Sequence, residues 1–339
     1  MATTSTTRDG ALDELLEAFA RGDRRALARA LSWVENQRPG FERLMDALHG
    51  RLGAARRLGV TGPPGAGKST LTEKLALRMR ERGEKVGILA VDPSSPYTGG
   101  ALLGDRIRMQ DLTLDEGAFI RSMASRGRLG GLATTSLEAA DLLEAFGFDV
   151  VIHETVGVGQ TERDIVSAAD TTIVVLVPES GDSIQAMKAG LMEIADVFVV
   201  NKADRPGADR LERALKATLG LKAKAADGWS PPIVRTVATE STGLDALEEA
   251  IAAHRAHGEA TGALARKRRE RAEERVRDLV ARRLEGRVWG DGAGERILAE
   301  GLDRIEAGQA TPYSVADEIA RATGLESPRD EAADVAAQA

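Results

Sequence analysis

Short apolar runs alternate with longer segments of helical periodicity through the middle of the chain. A strand that is buried on both faces reads as a continuous apolar run, and such strands belong to parallel sheets that helices cover. We predict strands at 58–61, 86–91, 118–123, 150–153, 172–177, 197–200 and 233–237. This rhythm predicts an α/β fold, with a mostly parallel sheet and helices on both of its faces.

The segment before the first strand is predicted to be helical. Leu12, Leu15 and Phe19 recur at helical spacing, and a second helical stretch at 26–34 follows a break at Gly22. We therefore expect residues 1–50 to form a helical extension that caps a main domain at 51–257.

Beyond residue 257 the chain is rich in Arg, Glu and Ala and has few helix-breaking residues. A long helix is predicted here, with one apolar face formed by Ala272, Val276, Leu279, Val280 and Leu284. Further helices are predicted near 295–307 and 313–323. Because a narrow apolar face needs a partner, residues 258–326 are predicted to form a helical dimerisation arm, with a disordered tail at 327–339.

Composition narrows the classes of function. The chain has 339 residues, no cysteine, four histidines and a formal net charge of −7. Thiolate ligands are therefore excluded, and metal chemistry is expected to be limited to oxygen-bound Mg²⁺. The negative charge argues against nucleic-acid binding, and the acids interleaved in the basic run 266–271 favour a solvated helix face there. No apolar run has the length of a membrane span, so we expect a cytoplasmic protein without membrane contact.

A glycine-rich run directly follows the first predicted strand and opens a helix. Glycines let the backbone bend so that successive N–H groups point at a phosphate chain, and the Lys-Ser pair reaches the outer phosphates and Mg²⁺. The positive end of the helix adds to this attraction for anions. The predicted phosphate-binding residues are Gly62, Pro63, Pro64, Gly65, Ala66, Gly67, Lys68, Ser69 and Thr70.

A second polar motif, Asn201-Lys202-Ala203-Asp204, follows the strand predicted at 197–200. It should therefore lie at the carboxyl edge of the sheet, where α/β proteins bind ligands. The Asp204 carboxylate is suited to accept hydrogen bonds from N1 and N2 of guanine, whereas adenine offers no such pair of donors. The sequence thus favours GTP over ATP.

Carboxylates at strand ends are the candidates for metal binding and catalysis. Asp92 and Glu154 each end a predicted strand, and Asp105 lies in a glycine-rich loop. We expect all three to surround Mg²⁺ or to orient the attacking water, with Lys68 as the cation on the outer phosphates. The alternative to a role in metal binding is that Asp92 caps the turn before Pro93.

Two further segments are predicted to contact the nucleotide or a partner. Gly157 lies three residues after Glu154, and its N–H is placed to meet the phosphate. Gln185 and Lys188 lie one helical turn apart in a segment after the fifth predicted strand, so they are expected to face the nucleotide or a docked partner. His153 is expected to be a packed residue rather than a catalyst. No Gln or Arg is fixed in an accelerating position, so intrinsic turnover is expected to be slow.

Four segments resemble the methylmalonyl-CoA mutase-associated GTPases, the MeaB/ArgK family. They are the phosphate loop, the run Val91-Asp92-Pro93-Ser94-Ser95, the run from Glu154 to Gln160 and the run from Pro178 to Asp182. The resemblance implies a homodimeric P-loop GTPase of the class that includes signal-recognition and metal-insertion GTPases. It implies a chaperone that gates adenosylcobalamin loading and protects an acyl-CoA mutase. It also implies a guanine-contacting loop, here Val237-Ala238-Thr239, that acts through backbone groups.

Two other functions share the same phosphate loop. A metal-insertion GTPase normally needs Cys or His ligands near the nucleotide, and this chain has no Cys. A kinase or ATPase coupled to amino-acid transport would use the phosphate loop equally well, but the Asp204 carboxylate selects against adenine.

Overall fold

The computed structural model describes residues 3–92, 109–124, 131–155, 167–178, 191–221, 227–290 and 292–325. Within them the predicted parallel sheet is confirmed. Its strands run in the order β3-β2-β4-β1-β5-β6-β7, and every neighbouring pair is parallel. The strands are β1 Arg56–Thr61, β2 Val86–Asp92, β3 Ala118–Ala124, β4 Val150–Thr155, β5 Thr171–Leu176, β6 Val197–Asn201 and β7 Ile233–Thr236.

Helices precede, connect and follow these strands. In chain order they are α1 Thr3–Ala20, α2 Arg24–Glu35, α3 Phe41–Leu48, α4 Lys68–Glu81, α5 Gln110–Thr113, α6 Gly131–Phe146, α7 Leu191–Ile194, α8 Ala208–Leu221, α9 Leu244–Ala260, α10 Ala263–Trp289, α11 Ala293–Glu306 and α12 Pro312–Ala322. Helix α3 was not among the predicted elements. In the described part of the chain, no helix combines the length and the apolarity that crossing a membrane requires.

Both faces of the sheet are buried against helices. On one face, Val60, Ile88 and Ile152 pack with residues of α4 and α9. On the other, Leu89 and Val151 share a cluster with α6 and with the N-terminal helices, and β5 and β6 pack on α7 and α8. Phe19 of α1 meets Phe146 of α6 edge to face, with ring centroids 5.0 Å apart. The N-terminal helices therefore form an outer layer over α6.

A buried ionic cluster lies where the central strands begin. Arg57 of β1 is 7% exposed, and its guanidinium donates to Asp141 at 2.7 Å and to Glu144 at 2.6 Å, both on α6. Glu144 also accepts from the backbone N–H of Ala55 at 3.0 Å. Because a buried charge is costly without partners, this pairing fixes the start of β1 against α6.

Asp170, just before β5, extends the cluster to α10. It accepts from Arg268 at 2.6 Å and from Arg271 at 3.2 Å. Burial alone would raise the pKa of Asp170, but the bond from Arg268 and the charges of Arg271, Arg268 and Arg57 outweigh it and hold the pKa below its ordinary value. The first turns of α10 are thereby fastened to the sheet.

The chain divides into two compact units, residues 1–271 and 272–339. In the second unit, α11 packs closely on α12, because Gly301 leaves room for the side chain of Val315. Arg304 pairs with Glu318 at 2.6 Å, and Thr311 and Ser314 form a capping box at the start of α12.

Asp170→Asn should lower the free energy of unfolding at neutral pH by about 3 kcal/mol, because it leaves Arg268 and Arg271 without their shared buried carboxylate. The folded pKa of Asp170 is lowered, so its stabilisation is present above the unfolded value of about 4 and is lost as pH falls through the folded pKa. Urea unfolding across pH should therefore show a shallower acid limb in the variant.

The matched control is Asp46→Asn, which removes an exposed carboxylate on α3 and should change the unfolding free energy by less than about 0.5 kcal/mol. Equal effects of the two substitutions would contradict the role given to Asp170.

Candidate nucleotide site

The carboxyl ends of β1, β4, β5 and β6 meet at one edge of the sheet. The phosphate loop, residues 62–69, leaves β1 at this edge and enters α4. Glu154 lies near the end of β4, and Asn201 ends β6. Segments far apart in sequence therefore converge where parallel α/β sheets bind ligands.

Two glycines let the phosphate loop lie directly on the sheet. Gly62 has φ of 140°, and a Cβ on it would overlap the carbonyl oxygen of Val175 in β5. Gly67 has φ of 86°, and a Cβ there would press on the side-chain amide of Asn201. Larger residues at either position would push the loop away from the strands, so the loop conformation depends on glycine.

Lys68 is held inside the loop. Its ammonium donates to the carbonyl oxygens of Gly62 at 2.9 Å and Pro63 at 3.1 Å, and the residue is 6% exposed. The cation is thus positioned at the N-terminus of α4, over the loop that would receive a phosphate chain.

Ser69 and Glu154 meet beside the loop. The Ser69 hydroxyl donates to the Glu154 carboxylate, and Glu154 is 1% exposed. A hydroxyl and a carboxylate are the oxygen ligands that Mg²⁺ accepts. Among the residues that the structure describes, no group of three His, Cys, Asp or Glu is arranged to hold a metal. The Ser69 hydroxyl and the Glu154 carboxylate fit Mg²⁺, which typically takes one or two protein ligands and completes its shell with phosphate and water.

Asn201 makes side-chain hydrogen bonds to both sides of the site. Its amide donates to the carbonyl oxygen of Ala66 in the phosphate loop at 2.8 Å. Its oxygen accepts from the Thr236 hydroxyl at 3.0 Å and from the N–H of Ala238 at 3.1 Å. One buried side chain thus joins the phosphate loop to the end of β7.

The next residues of this motif are Lys202, which makes a second bond to the phosphate loop, and Asp204. Lys202 adopts a left-handed conformation with φ of 55°, and its ammonium donates to the carbonyl oxygen of Gly65 at 2.8 Å. Ala203 donates its N–H to the carbonyl oxygen of Thr236 at 3.0 Å. Asp204 is exposed.

The loop Val237-Ala238-Thr239 lies against Asn201. The N–H of Val237 donates to the carbonyl oxygen of Thr242, and the N–H of Ala238 donates to Asn201. Thr239 is exposed. Contact between this loop and guanine stays a prediction, and two of its backbone donors already have acceptors in the chain.

Several predicted site residues cannot be compared with the geometry. Asp105, Gly157, Gln185 and Lys188 lie outside the described residues. Asp92 ends β2 at the same edge of the sheet as the phosphate loop, and only its backbone is described, paired with Ala124 of β3.

His153 is fully buried in β4. Its Nδ1 lies 3.1 Å from the Ser136 hydroxyl, and burial lowers the pKa of His153 to about 3, so the ring is neutral. It is a packed residue, as expected. The structure also identifies Thr236, which sequence reasoning missed. The sequence signal that could have identified Thr236 is its position at the end of a strand, directly before the Val237 loop.

Comparison with known proteins agrees with this geometry. The family model described as methylmalonyl-CoA mutase-associated GTPase MeaB matches residues 27–293. A protein of Pyrococcus abyssi named as a GTPase is 48% identical over 313 residues, which cover 91% of this chain and 95% of that protein. The GTPase ArgK of Escherichia coli is 36% identical over 311 residues, which cover 90% and 94%.

A solved structure of a LAO/AO transport system kinase is similar to this chain, with 30% identity and a TM-score of 0.69. The match covers 92% of this chain and 97% of that one. The family match spans most of the sequence and includes the phosphate loop, Glu154 and the Asn201 motif. This chain belongs to the family of methylmalonyl-CoA mutase-associated GTPases, and it is a GTP hydrolase.

Proposed function

We propose that residues 62–70 hold the triphosphate of GTP and that Asn201, Lys202 and Asp204 hold its guanine. The observation that carries this proposal is the set of hydrogen bonds made by Asn201, which connects the phosphate loop with the β7 loop. A base and its phosphates are tied together by one ribose, so their two protein sites must keep a fixed separation. Asn201 and the Lys202 bond to Gly65 supply that constraint.

On nucleotide binding, the Lys68 ammonium exchanges loop carbonyls for phosphate oxygens. It already lies within the loop, so little side-chain freedom is lost in the exchange. The N-terminus of α4 stabilises the same negative charge. Mg²⁺, when bound, would neutralise charge on the outer phosphates, and the Ser69 hydroxyl and Glu154 would hold it.

We also propose that Asp92, Asp105 and Gly157 complete the site around the terminal phosphate. The carboxylates would orient the attacking water or a metal-bound water, and the Gly157 N–H would contact the phosphate. The end of β2 lies at the same edge as the loop, which supports this assignment for Asp92.

Choice of base distinguishes this function from that of an ATP-dependent kinase. The similar solved structure is named a transport system kinase. The phosphate loop serves either nucleotide. The exposed Asp204 favours guanine, because its carboxylate is matched by two guanine donors and by none at the same positions of adenine.

Asp204→Ala should weaken GTP affinity by about 100-fold, because it removes a bidentate charged acceptor for guanine. The measurement is the GTP-induced rise in melting temperature with Mg²⁺ present, titrated to saturation. ATP should give little rise with either protein.

The control is Asp209→Ala, which removes an exposed carboxylate on α8 whose partner Arg235 keeps Glu212. Its GTP affinity should equal that of the wild type. Equal stabilisation of the wild type by ATP and GTP would instead favour the kinase reading.

We further propose that the GTPase cycle serves an adenosylcobalamin-dependent acyl-CoA mutase. The description of the matching family, which names methylmalonyl-CoA mutase, supports this client. GTP binding and hydrolysis would gate loading of the cobalamin that belongs to the mutase and would protect the loaded enzyme. Gln185 and Lys188 are the proposed coupling residues between nucleotide and client.

The isolated protein should hydrolyse GTP slowly, and purified methylmalonyl-CoA mutase should accelerate it by about tenfold or more, because partners of switch GTPases supply or order catalytic groups. Phosphate release is measured with and without the mutase. An unrelated acyl-CoA enzyme is the control. Turnover that is fast alone and unchanged by the mutase would refute the coupling.

Helix α10 is the proposed dimerisation element. Val276, Val280 and Leu284 recur every fourth residue and are 59%, 50% and 44% exposed. Such a stripe is typical of a helix that packs on a partner. A second copy of the chain would bury it.

Val276→Lys with Val280→Lys should convert a dimer into a monomer, because it places two charges in the apolar stripe. Light scattering at micromolar concentration gives the mass. The control is Ala281→Lys, which places one charge at the residue after Val280, outside the apolar stripe. This variant should remain dimeric. A monomeric wild type would contradict the proposal.

A further inference from the structure

A small cavity lies at the opposite edge of the sheet from the phosphate loop. It occupies about 110 Å³ between the starts of β1 and β5, helix α9 and the first turn of α10. Leu58, Ile251 and Leu264 form apolar parts of its wall. It is somewhat smaller than the roughly 150 Å³ apolar cavity that accepts benzene, so it has room for a ligand of about six heavy atoms.

Three carboxylates line the cavity, and each already has a donor. Asp227 accepts from the backbone N–H of Trp229 at 3.0 Å. Asp170 is bonded by Arg268 and Arg271. Asp196 accepts from the N–H of Thr172 at 2.8 Å and pairs with His254 at 3.3 Å. Burial would raise the pKa of Asp196, but the bond from His254 and the charge of Lys267 outweigh it and lower the pKa. These acids are therefore satisfied as anions and do not call for a cationic ligand.

Two of the four Lys and Arg side chains on the wall are less fully engaged, since Arg56 already pairs with Glu84 and Arg57 with Asp141 and Glu144. The Lys267 ammonium makes long bonds, 3.2 Å to the carbonyl oxygen of Asp170 and 3.4 Å to Asp196. Arg255 pairs through Nε with the exposed Glu259 one helical turn later. An exposed ion pair of this type contributes little to stability. Within the described residues, both groups keep N–H donors for an additional acceptor.

An approach for an anion exists from the solvent side. The side chains of Arg56 and Arg255 are 27% and 40% exposed, and both also line a wider groove of about 540 Å³. Arg51 and Arg82 line that groove as well, together with Glu84, Glu144 and Asp149, and Glu84 pairs with Arg56 and Arg82. Arg255 lines both the groove and the cavity, so an anion that approaches from solvent meets its guanidinium before it enters the cavity.

We propose that this cavity binds a short-chain aliphatic carboxylate. The hydrocarbon chain packs among Leu58, Ile251 and Leu264, and the carboxylate accepts from Lys267 and Arg255. A neutral apolar molecule would leave these donors unused, and a phosphate would leave the apolar wall in contact with a strongly hydrated group. The site is separate from the nucleotide site and does not depend on the function proposed there.

Butyrate is the probe, and binding to the full chain is followed by saturation-transfer NMR and calorimetry without nucleotide. The wild type should bind one butyrate saturably. 1-Butanol, which has the same chain without the charge, should bind about tenfold more weakly or worse, because a charge-assisted hydrogen bond is lost.

Lys267→Met should weaken butyrate about tenfold or more, whereas Arg269→Met, an equal charge change on the exposed side of α10, should not. Ala263→Leu keeps every charge, fills the cavity and should abolish binding, which covers the case in which Lys267→Met perturbs folding. GTP affinity should be unchanged in all three variants. No saturable binding to the wild type, or equal binding to Ala263→Leu, would overturn the proposal.

Discussion

The proposed nucleotide site depends on the buried side chain of Asn201. Its amide donates to the phosphate loop at Ala66, and its oxygen accepts from Thr236 and Ala238 at the end of β7. An unpaired amide at this depth would be costly, so the three segments stabilise one another. Gly67 makes the contact possible, because a side chain at that position would occupy the space of the Asn201 amide.

The sheet separates two kinds of chemistry. At its carboxyl edge, Lys68 and the N-terminus of α4 lie where we propose that phosphate binds. At its amino edge, Arg57, Asp170 and Arg268 form an ionic cluster that fastens β1, β5 and α10 together. The strands that begin at this cluster lead toward the proposed nucleotide site.

Much of this architecture was predictable from sequence, for physical reasons. Strands buried on both faces read as uninterrupted apolar runs, and all of the predicted strands are present. The phosphate loop was predictable because its glycines and Lys68 lie close together in the sequence. The pairing of Arg57 with Asp141 spans 84 residues, and nothing local in the sequence indicates it. Thr236 was missed because its partner is a side chain on another strand. Helix α3 was missed because its short apolar pattern follows a Pro-Gly pair.

Hydrogen–deuterium exchange with GTP and Mg²⁺ tests the central claim most directly. If Asn201 unites the phosphate and base sites, saturating GTP should slow exchange together at 62–70, 201–205 and 236–239. Protection confined to the phosphate loop, or found only at the amino edge of the sheet, would contradict this account.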